Sequence, residues 1–179
     1  MSIFERLRQK LAASSRYPAD YWPSVVVLLA KPIFPAKDEI LARVQQAWGN
    51  AGQAKLMGTL RDGASHLVQC GPMFFSIHCT DSRYGQSSER GDDVLQKPWH
   101  DHQAWMSVDL PNLRNEPLYQ SGDLGKMYKV LLIFVFLCWT SNCLGVYFPG
   151  EGVTVPNLGD LAGSINWGRR NGLNPNFLN

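Results

Sequence analysis

The sequence predicts an α+β fold in which helices cover one face of a β-sheet, and three observations predict it. SVVVLLAKP, residues 24–32, is a continuous Val-rich apolar run bounded by prolines, which is typical of a buried central strand. Residues 36–49 follow with an amphipathic helical pattern. Two shorter apolar segments, residues 65–70 and 73–79, flank a Gly-Pro turn and indicate a pair of strands.

The helix predicted in residues 36–49 carries signals at both ends. Asp38 and Glu39 place acidic side chains in its first turn, and Gly49 stands where a helix C-terminus favours a left-handed residue. Its apolar stripe consists of Ile40, Leu41, Val44, Ala47 and Trp48. We therefore expect this helix to pack on the sheet.

The next elements are a polar stretch and an added strand. TDSRYGQSSERGDDVLQKP, residues 80–98, predicts a loop because it is polar almost throughout. HQAWMSVDLP, residues 102–111, alternates as a strand does. One face of that strand would carry Ala104, Met106 and Val108, and the other Trp105, Ser107 and Asp109.

KVLLIFVFLCWTSNC, residues 129–143, raises the question of a membrane span. Its uninterrupted apolar run of residues 130–139 is about half of the roughly 20 residues that a span needs. A strand-like segment, CLGVYFPG, follows at residues 143–150 and would pair with the upstream strands. We therefore expect a buried helix that ends near Asn142, and no membrane span.

The predicted order is strand, helix, strand, strand, added strand, helix, strand. Without the added strand this is the split β-α-β arrangement of ferredoxin-like folds. We expect a single domain over residues 1–179, with its α+β core in residues 24–150 and an irregular Gly/Asn-rich tail in residues 151–179. Helices would cover one sheet face, and the tail, the N-terminal segment or a partner would cover the other.

The N-terminal residues 1–16 predict a short amphipathic helix rather than a secretory signal. Ser2 and Glu5 match a capping box, and no continuous apolar stretch follows the basic residues. Such a helix can bind a membrane surface or a partner. The preferred interpretation is that it docks on its own domain through Leu7 and Leu11.

Charge and cysteine content argue against a nucleic-acid-binding protein and against a zinc or redox site built on paired cysteines. The 17 basic and 15 acidic side chains leave a net charge of +2, which argues against a dedicated nucleic-acid binder. No pair of cysteines has the C-x-x-C spacing of zinc or redox sites. We predict a cytoplasmic protein with four reduced thiols, although spacing leaves a disulfide open. The cysteines are Cys70, Cys79, Cys138 and Cys143.

The segment KPWHDHQAW contains the best candidate for a metal site. On a strand, His100 and His102 would share a face and offer two imidazoles to zinc or another transition metal. A third ligand could come from His78 or Asp81, but no recognised spacing identifies it. The alternative is two surface histidines at the start of a strand, and the expectation is therefore no cofactor.

No complete catalytic constellation is present in the sequence. Phosphate-binding, dinucleotide-binding and nucleophile-elbow motifs are absent, so no catalytic residue is predicted. Arg169 and Arg170 can contact an anion or nucleic acid, but two arginines in such a tail are more often solvated. Aromatic residues commonly anchor protein interfaces. The aromatic candidates for such contacts are Trp99, Trp105, Tyr84 and Trp167.

Three blocks of the sequence together resemble a known family. They are VVVLLAKPIFPAKDEILARVQQAWG, WHDHQAWMSVDL and CLGVYFPGEGVTVP, within residues 24–160. In their order they resemble the bacterial domain-of-unknown-function family four-two-six-one. The resemblance implies a soluble bacterial α+β domain and no transferable catalytic residues. His102 falls where such proteins tend to carry a histidine before a strand.

The function that these observations favour is non-enzymatic. We expect a protein-binding or accessory domain, of which an immunity-type protein is one form, with a protein partner or a second copy of itself. The alternatives are a metal-dependent enzyme built on His100 and His102, and a small-ligand-binding domain with its pocket between sheet and tail.

Overall fold

A computed structural model describes residues 23–50, 52–60, 63–85, 93–111 and 124–172. The helix predicted in residues 1–16 lies outside the described residues. The strands are β1 (Ser24–Leu29), β2 (Ala54–Leu60), β3 (Ser65–Cys70), β4 (Met73–Thr80), β5 (Ala104–Asp109), β6 (Cys143–Phe148) and β7 (Val153–Pro156). The helices are α1 (Lys37–Trp48), α2 (Asp93–Asp101), α3 (Leu124–Cys138) and α4 (Leu161–Arg170).

The strands form one seven-stranded sheet in the order β2-β3-β4-β5-β1-β6-β7, and every neighbouring pair is antiparallel. The α+β class is thus confirmed, and the sheet is larger than predicted. The strand that the sequence treats as an addition, β5, lies near the centre, between β4 and β1. The central position of β1 agrees with its continuous apolar sequence.

The two faces of the sheet differ in what covers them. Side chains alternate along β1, so Val25, Val27 and Leu29 point to one face, where they join the buried core with α1 and α3. We call this the helical face. Val26 and Leu28 point to the other side, which we call the opposite face.

α3 is a core helix with one exposed stripe. The residues that face the sheet and α1 are almost fully buried, namely Met127, Tyr128, Leu131, Phe134, Val135 and Cys138. On the outer side, Ile133 is 36% exposed and Phe136 is 61% exposed. The helix ends at Cys138, four residues earlier than predicted, and a turn leads into β6. None of the helices in the described ranges has the length and hydrophobicity needed to traverse a bilayer, as expected.

The connection between α1 and β2 is held by one amide side chain. Gln45 Nε2 donates to the carbonyls of Gly49 at 2.7 Å and Gly52 at 2.8 Å, and its Oε1 accepts from the Ala54 N–H at 2.8 Å. Gly49 has a positive φ of 80°, which favours glycine, but its ψ of −147° lies outside the left-handed helical conformation that the sequence predicted. Three hydrogen bonds from one side chain therefore fix the angle at which β2 leaves α1.

The loop predicted for residues 80–98 is wrong in its second half, because α2 begins at Asp93. Pro98 lies inside this helix, and proline ordinarily argues against a helix interior. Its ring packs on Gly145 of β6. The contact is so close that a Cβ atom added to Gly145 would lie 3.0 Å from the Pro98 Cβ. α2 therefore covers the opposite face over β6 and β7.

The irregular tail is also wrong for residues 153–170. β7 extends the sheet beyond β6, and α4 follows it. The side chain of Asp160 caps α4 by accepting from the Gly163 N–H at 2.6 Å. Leu161 is buried at the start of this helix and packs toward the core. The glycine and asparagine residues of the tail are typical of loops, and the sequence therefore did not predict this capped amphipathic helix.

All four cysteines are free and buried. Burial raises the pKa of the Cys79 thiol to about 12 and that of Cys138 to about 11. These thiols are therefore protonated and behave as small apolar side chains in the core.

Candidate functional site

Polar side chains form a row across three neighbouring strands on the opposite face. Ser65 of β3 stands opposite His78 of β4, and His78 stands opposite Ser107 of β5. Ser65 Oγ and His78 Nδ1 are 2.5 Å apart and share a hydrogen bond. The strand register places the three side chains side by side, which is the arrangement in which cross-strand pairs interact.

Asp109, the last residue of β5, lies next to this row. Its Oδ1 accepts a hydrogen bond from the Ser24 hydroxyl, and its Oδ2 accepts one from the Ser107 hydroxyl at 3.2 Å. Burial raises the pKa of the Asp109 carboxyl, while the two hydroxyl donors and the nearby His78 act in the opposite direction. Within the described ranges no cation lies at ion-pair distance from this carboxylate.

Four half-buried aromatic residues pack together beside the polar row, and we call them the aromatic cluster: Tyr84, Trp99, Trp105 and Tyr147. The ring centroids of Tyr84 and Trp105 are 4.9 Å apart, those of Trp99 and Tyr147 are 5.0 Å apart, and those of Tyr84 and Tyr147 are 5.9 Å apart. The His78 ring meets Trp105 edge-on at 5.0 Å. The cluster and the polar row are therefore one continuous surface.

α2 and β7 fix the position of Trp99 in the aromatic cluster. Its indole Nε1–H donates to the Thr154 hydroxyl on β7 at 2.9 Å. The neighbouring Pro98 sits on Gly145, which anchors the helix to the sheet. The indole is thus held at both its backbone and its polar end.

His102 positions Tyr84 rather than a metal ion. Its Nε2 accepts a hydrogen bond from the Tyr84 backbone N–H at 3.0 Å, and its Nδ1 lies 2.8 Å from the Trp99 carbonyl oxygen. A carbonyl only accepts, so the proton is on Nδ1 and the imidazole is neutral. The ring is 2% exposed. Both nitrogens are thus engaged in joining two members of the aromatic cluster.

The prediction that His100 and His102 share a face of a strand is wrong. His100 lies in the last turn of α2 and is exposed, whereas His102 follows the helix and is buried. His100 lines an open depression of about 360 Å³ together with Gln96, Lys97 and Asp101. The described ranges contain no group of three or more His, Cys, Asp or Glu side chains placed to hold a metal ion. A metal at His102 would have to displace the Tyr84 N–H or the Trp99 carbonyl.

The six residues predicted for interactions divide between two places. Tyr84, Trp99 and Trp105 come together in the aromatic cluster. The other three lie on α4, which packs against β7 at the end of the sheet, and they are Trp167, Arg169 and Arg170. Both arginines are exposed in the last turn of that helix, where positive charge is favourable.

Tyr147 is the member of the aromatic cluster that the sequence did not identify. It lies on β6 opposite Val26 of β1, and Val26 lies opposite Ser107 of β5. The alternation of Tyr147 with Val146 was available as a signal. The sequence predicted that this strand pairs with upstream strands, but it did not identify β1 as the partner that places Tyr147 opposite Val26.

We expect His102→Ala to lower the free energy of unfolding by about 1–3 kcal/mol, because it removes a buried side chain and the hydrogen bonds that it makes to the Tyr84 N–H and the Trp99 carbonyl. His100→Ala, two positions away and exposed, should change it by no more than about 0.5 kcal/mol. Urea unfolding of both variants measures this difference. Equal effects would contradict the role given to His102.

Asp109 should also make stability depend on pH in a direction unusual for a carboxylate. Its folded pKa is raised above the ordinary 3.8, so between these two values the folded state holds more protons than the unfolded state. The free energy of unfolding should therefore fall as pH rises through that window and level off above the folded pKa. Subtracting the pH profile of Asp109→Asn from that of the parent protein isolates the contribution of Asp109 to the pH dependence of stability. A difference that rises with pH in the window would contradict it.

No family model matches the chain, no curated protein matches it, and no solved structure matches it.

Proposed function

We propose that the protein is a non-enzymatic protein-binding or accessory domain, of which an immunity-type protein is one form, and that it binds through the opposite face. The aromatic cluster is the observation that carries this proposal. Three residues selected from sequence as interface candidates, together with Tyr147, form a single half-buried patch on the face that α1 and α3 leave uncovered.

The physical properties of the patch support binding rather than a purely structural role. Aromatic residues offer large contact areas at low cost in side-chain entropy, and they dominate the energetic centres of protein interfaces. Two tyrosines and a tryptophan also carry polar ends that a partner can satisfy. The polar row supplies the hydrogen-bonding border that such centres usually have.

A photo-crosslinking experiment tests the proposal in the native cell. We place p-benzoyl-phenylalanine at Asp81, an exposed residue of the loop that leads to Tyr84, and at Gln46, an exposed residue of α1 on the helical side. We expect a specific crosslinked product from position 81 and none from position 46. Trp105→Leu in the position-81 protein should remove the product while leaving the melting temperature close to that of the parent.

Mass spectrometry of the product identifies the occupant as a second copy of this chain or as another protein. Either outcome supports a binding surface at this face, because the proposal includes a homo-oligomer. Tyr84→Leu provides a second variant if Trp105→Leu does not fold. The absence of a product at position 81, or a product that both variants leave unchanged, would overturn the proposal.

We also propose that the centre of the sheet has the ferredoxin-like arrangement. The order β4-β5-β1-β6, with α1 between β1 and β4 in the chain and α3 between β5 and β6, supports it. In this proposal β2, β3 and β7 are additions at the two edges. The strands needed for the split β-α-β unit are then β1, β4, β5 and β6.

We also propose that the protein is related to the bacterial domain-of-unknown-function family four-two-six-one, which it resembles. We propose in addition that it is cytoplasmic. Four buried free thiols support a reducing compartment. The resemblance adds no activity, so the proposed function depends on the aromatic cluster alone.

A further inference from the structure

The carboxylate of Asp109 is a negative charge held beside the aromatic cluster. Two neutral hydroxyl groups, of Ser24 and Ser107, donate to it. A carboxylate has about four acceptor positions, so two remain for other donors. Where both partners are described residues, the ion pair is that of Arg43 with Glu39 on α1, and Asp109 takes no part in it. The charge at this point of the opposite face is therefore complementary to a cation.

The polar atoms of the aromatic cluster are suited to a ligand that has hydrogen-bond donors and acceptors. Among the described residues, the Tyr84 hydroxyl, the Tyr147 hydroxyl and the Trp105 Nε1 make no hydrogen bond, and none of these three atoms is fully buried. Burial first, and then nearby Tyr147 and Asp109, raise the pKa of the Tyr84 phenol. The Tyr84 hydroxyl is thus within electrostatic reach of the carboxylate.

The spacing of the rings discriminates between kinds of cation. Neighbouring centroids in the aromatic cluster lie 4.9 to 6.2 Å apart, which means that the rings touch one another. A methylated ammonium group needs an opening between rings, and contacting rings leave none. A planar guanidinium instead stacks on the outer face of a single ring and presents paired N–H donors to a carboxylate.

From the carboxylate, the unsatisfied polar ends and the ring spacing, we infer that Asp109, Trp105, Tyr84 and Tyr147 form a subsite for an arginine side chain of a protein partner. The guanidinium donates to Asp109, and the arginine stem lies along the aromatic rings. This inference rests on the proposed protein-binding function and names the chemistry of one of its contacts.

The test uses N-acetyl-arginine N-methylamide as the probe and the citrulline analogue as its neutral control of nearly the same shape. Two-dimensional NMR of the ¹⁵N-labelled protein follows the Trp105 indole N–H and the Asp109 backbone N–H during titration. We expect saturable shifts of both signals with the arginine probe. The citrulline probe should bind about tenfold more weakly, because its neutral urea group lacks the positive charge that pairs with the Asp109 carboxylate.

Variants then assign the effect to individual residues. Asp109→Asn should reduce arginine binding to the level of citrulline, and Trp105→Leu should weaken it as well. Asp101→Asn, a matched change at an exposed aspartate of α2, should leave it unaltered. Equal binding of the arginine and citrulline probes to the parent protein would overturn the inference, and that comparison depends on no variant.

The outcomes separate this inference from the proposed function. If the crosslink from position 81 forms and the arginine probe does not bind, the surface binds a partner by other chemistry and the subsite is wrong. A third probe, the lysine analogue of the arginine compound, carries the charge without the guanidinium. If it binds as tightly as the arginine probe, the site recognises charge alone and the assignment to guanidinium is wrong.

Discussion

Replacing Phe134 by alanine is expected to lower the free energy of unfolding by about 3–5 kcal/mol. Phe134 is 1% exposed on the inner side of α3, within the core formed by the sheet, α1 and α3. The change removes buried apolar area and leaves a cavity that closely packed neighbours fill only in part. Urea unfolding followed by circular dichroism measures the loss.

Phe136→Ala is the matched control on the same helix. It makes the same chemical change two positions away, and any gain in helix propensity is the same in both variants. Phe136 is 61% exposed, so its loss should change stability by no more than about 0.5 kcal/mol. A comparable loss at both positions would mean that another surface covers Phe136, and a dependence of that loss on protein concentration would identify a second copy.

Gly52→Ala is the second change from which we expect a large effect, a loss of about 1–3 kcal/mol or more. A Cβ atom at position 52 would lie 2.5 Å from the backbone nitrogen of Gly71 and 2.6 Å from its Cα. Both contacts are with backbone at the β3–β4 turn, so no side chain can rotate away. The carbonyl of Gly52 also accepts from Gln45, and any shift would strain that hydrogen bond.

Gly58→Ala is the control for Gly52→Ala. Gly58 lies in β2, and a Cβ there would meet nothing within 4 Å. We expect its stability to be within about 0.5 kcal/mol of the parent. Thermal unfolding of the two variants under the same conditions gives the comparison. A neutral Gly52→Ala would show that the two turns do not approach as closely as described.

The elements that the sequence predicted well are those in which one strong local pattern agrees with the tertiary environment. β1 is a continuous apolar run and is central, and α1 has acidic residues at its start and Gly49 at its end. β2 was missed for a local reason. The pairing with β3 shifts between Leu56 and Gly58, so the bulge interrupts the alternation on which strand prediction depends.

α2 and the histidine pair show a different limit. Pro98 in the helix interior argues against a helix, and its contact with Gly145 of β6 is a tertiary contact that the local sequence does not reveal. Assigning residues 100–102 to a strand then placed His100 and His102 on one face. His100 lies in the last turn of α2 and His102 follows the helix, so the two side chains do not share one face of a strand. The aromatic residues were identified individually, but their association depends on long-range pairing.

The central position of β1 has a consequence for how the chain folds. Both strands that pair with β1 come much later in the chain, since Ser24 pairs with Asp109 of β5 and Leu29 pairs with Cys143 of β6. On the ribosome, β1 therefore has both edges unpaired until β5 and then β6 emerge. Such non-local closure slows folding and exposes an apolar strand meanwhile. Nascent chains that stop before β6 should require a chaperone to hold β1, and release from that chaperone should coincide with synthesis of β6.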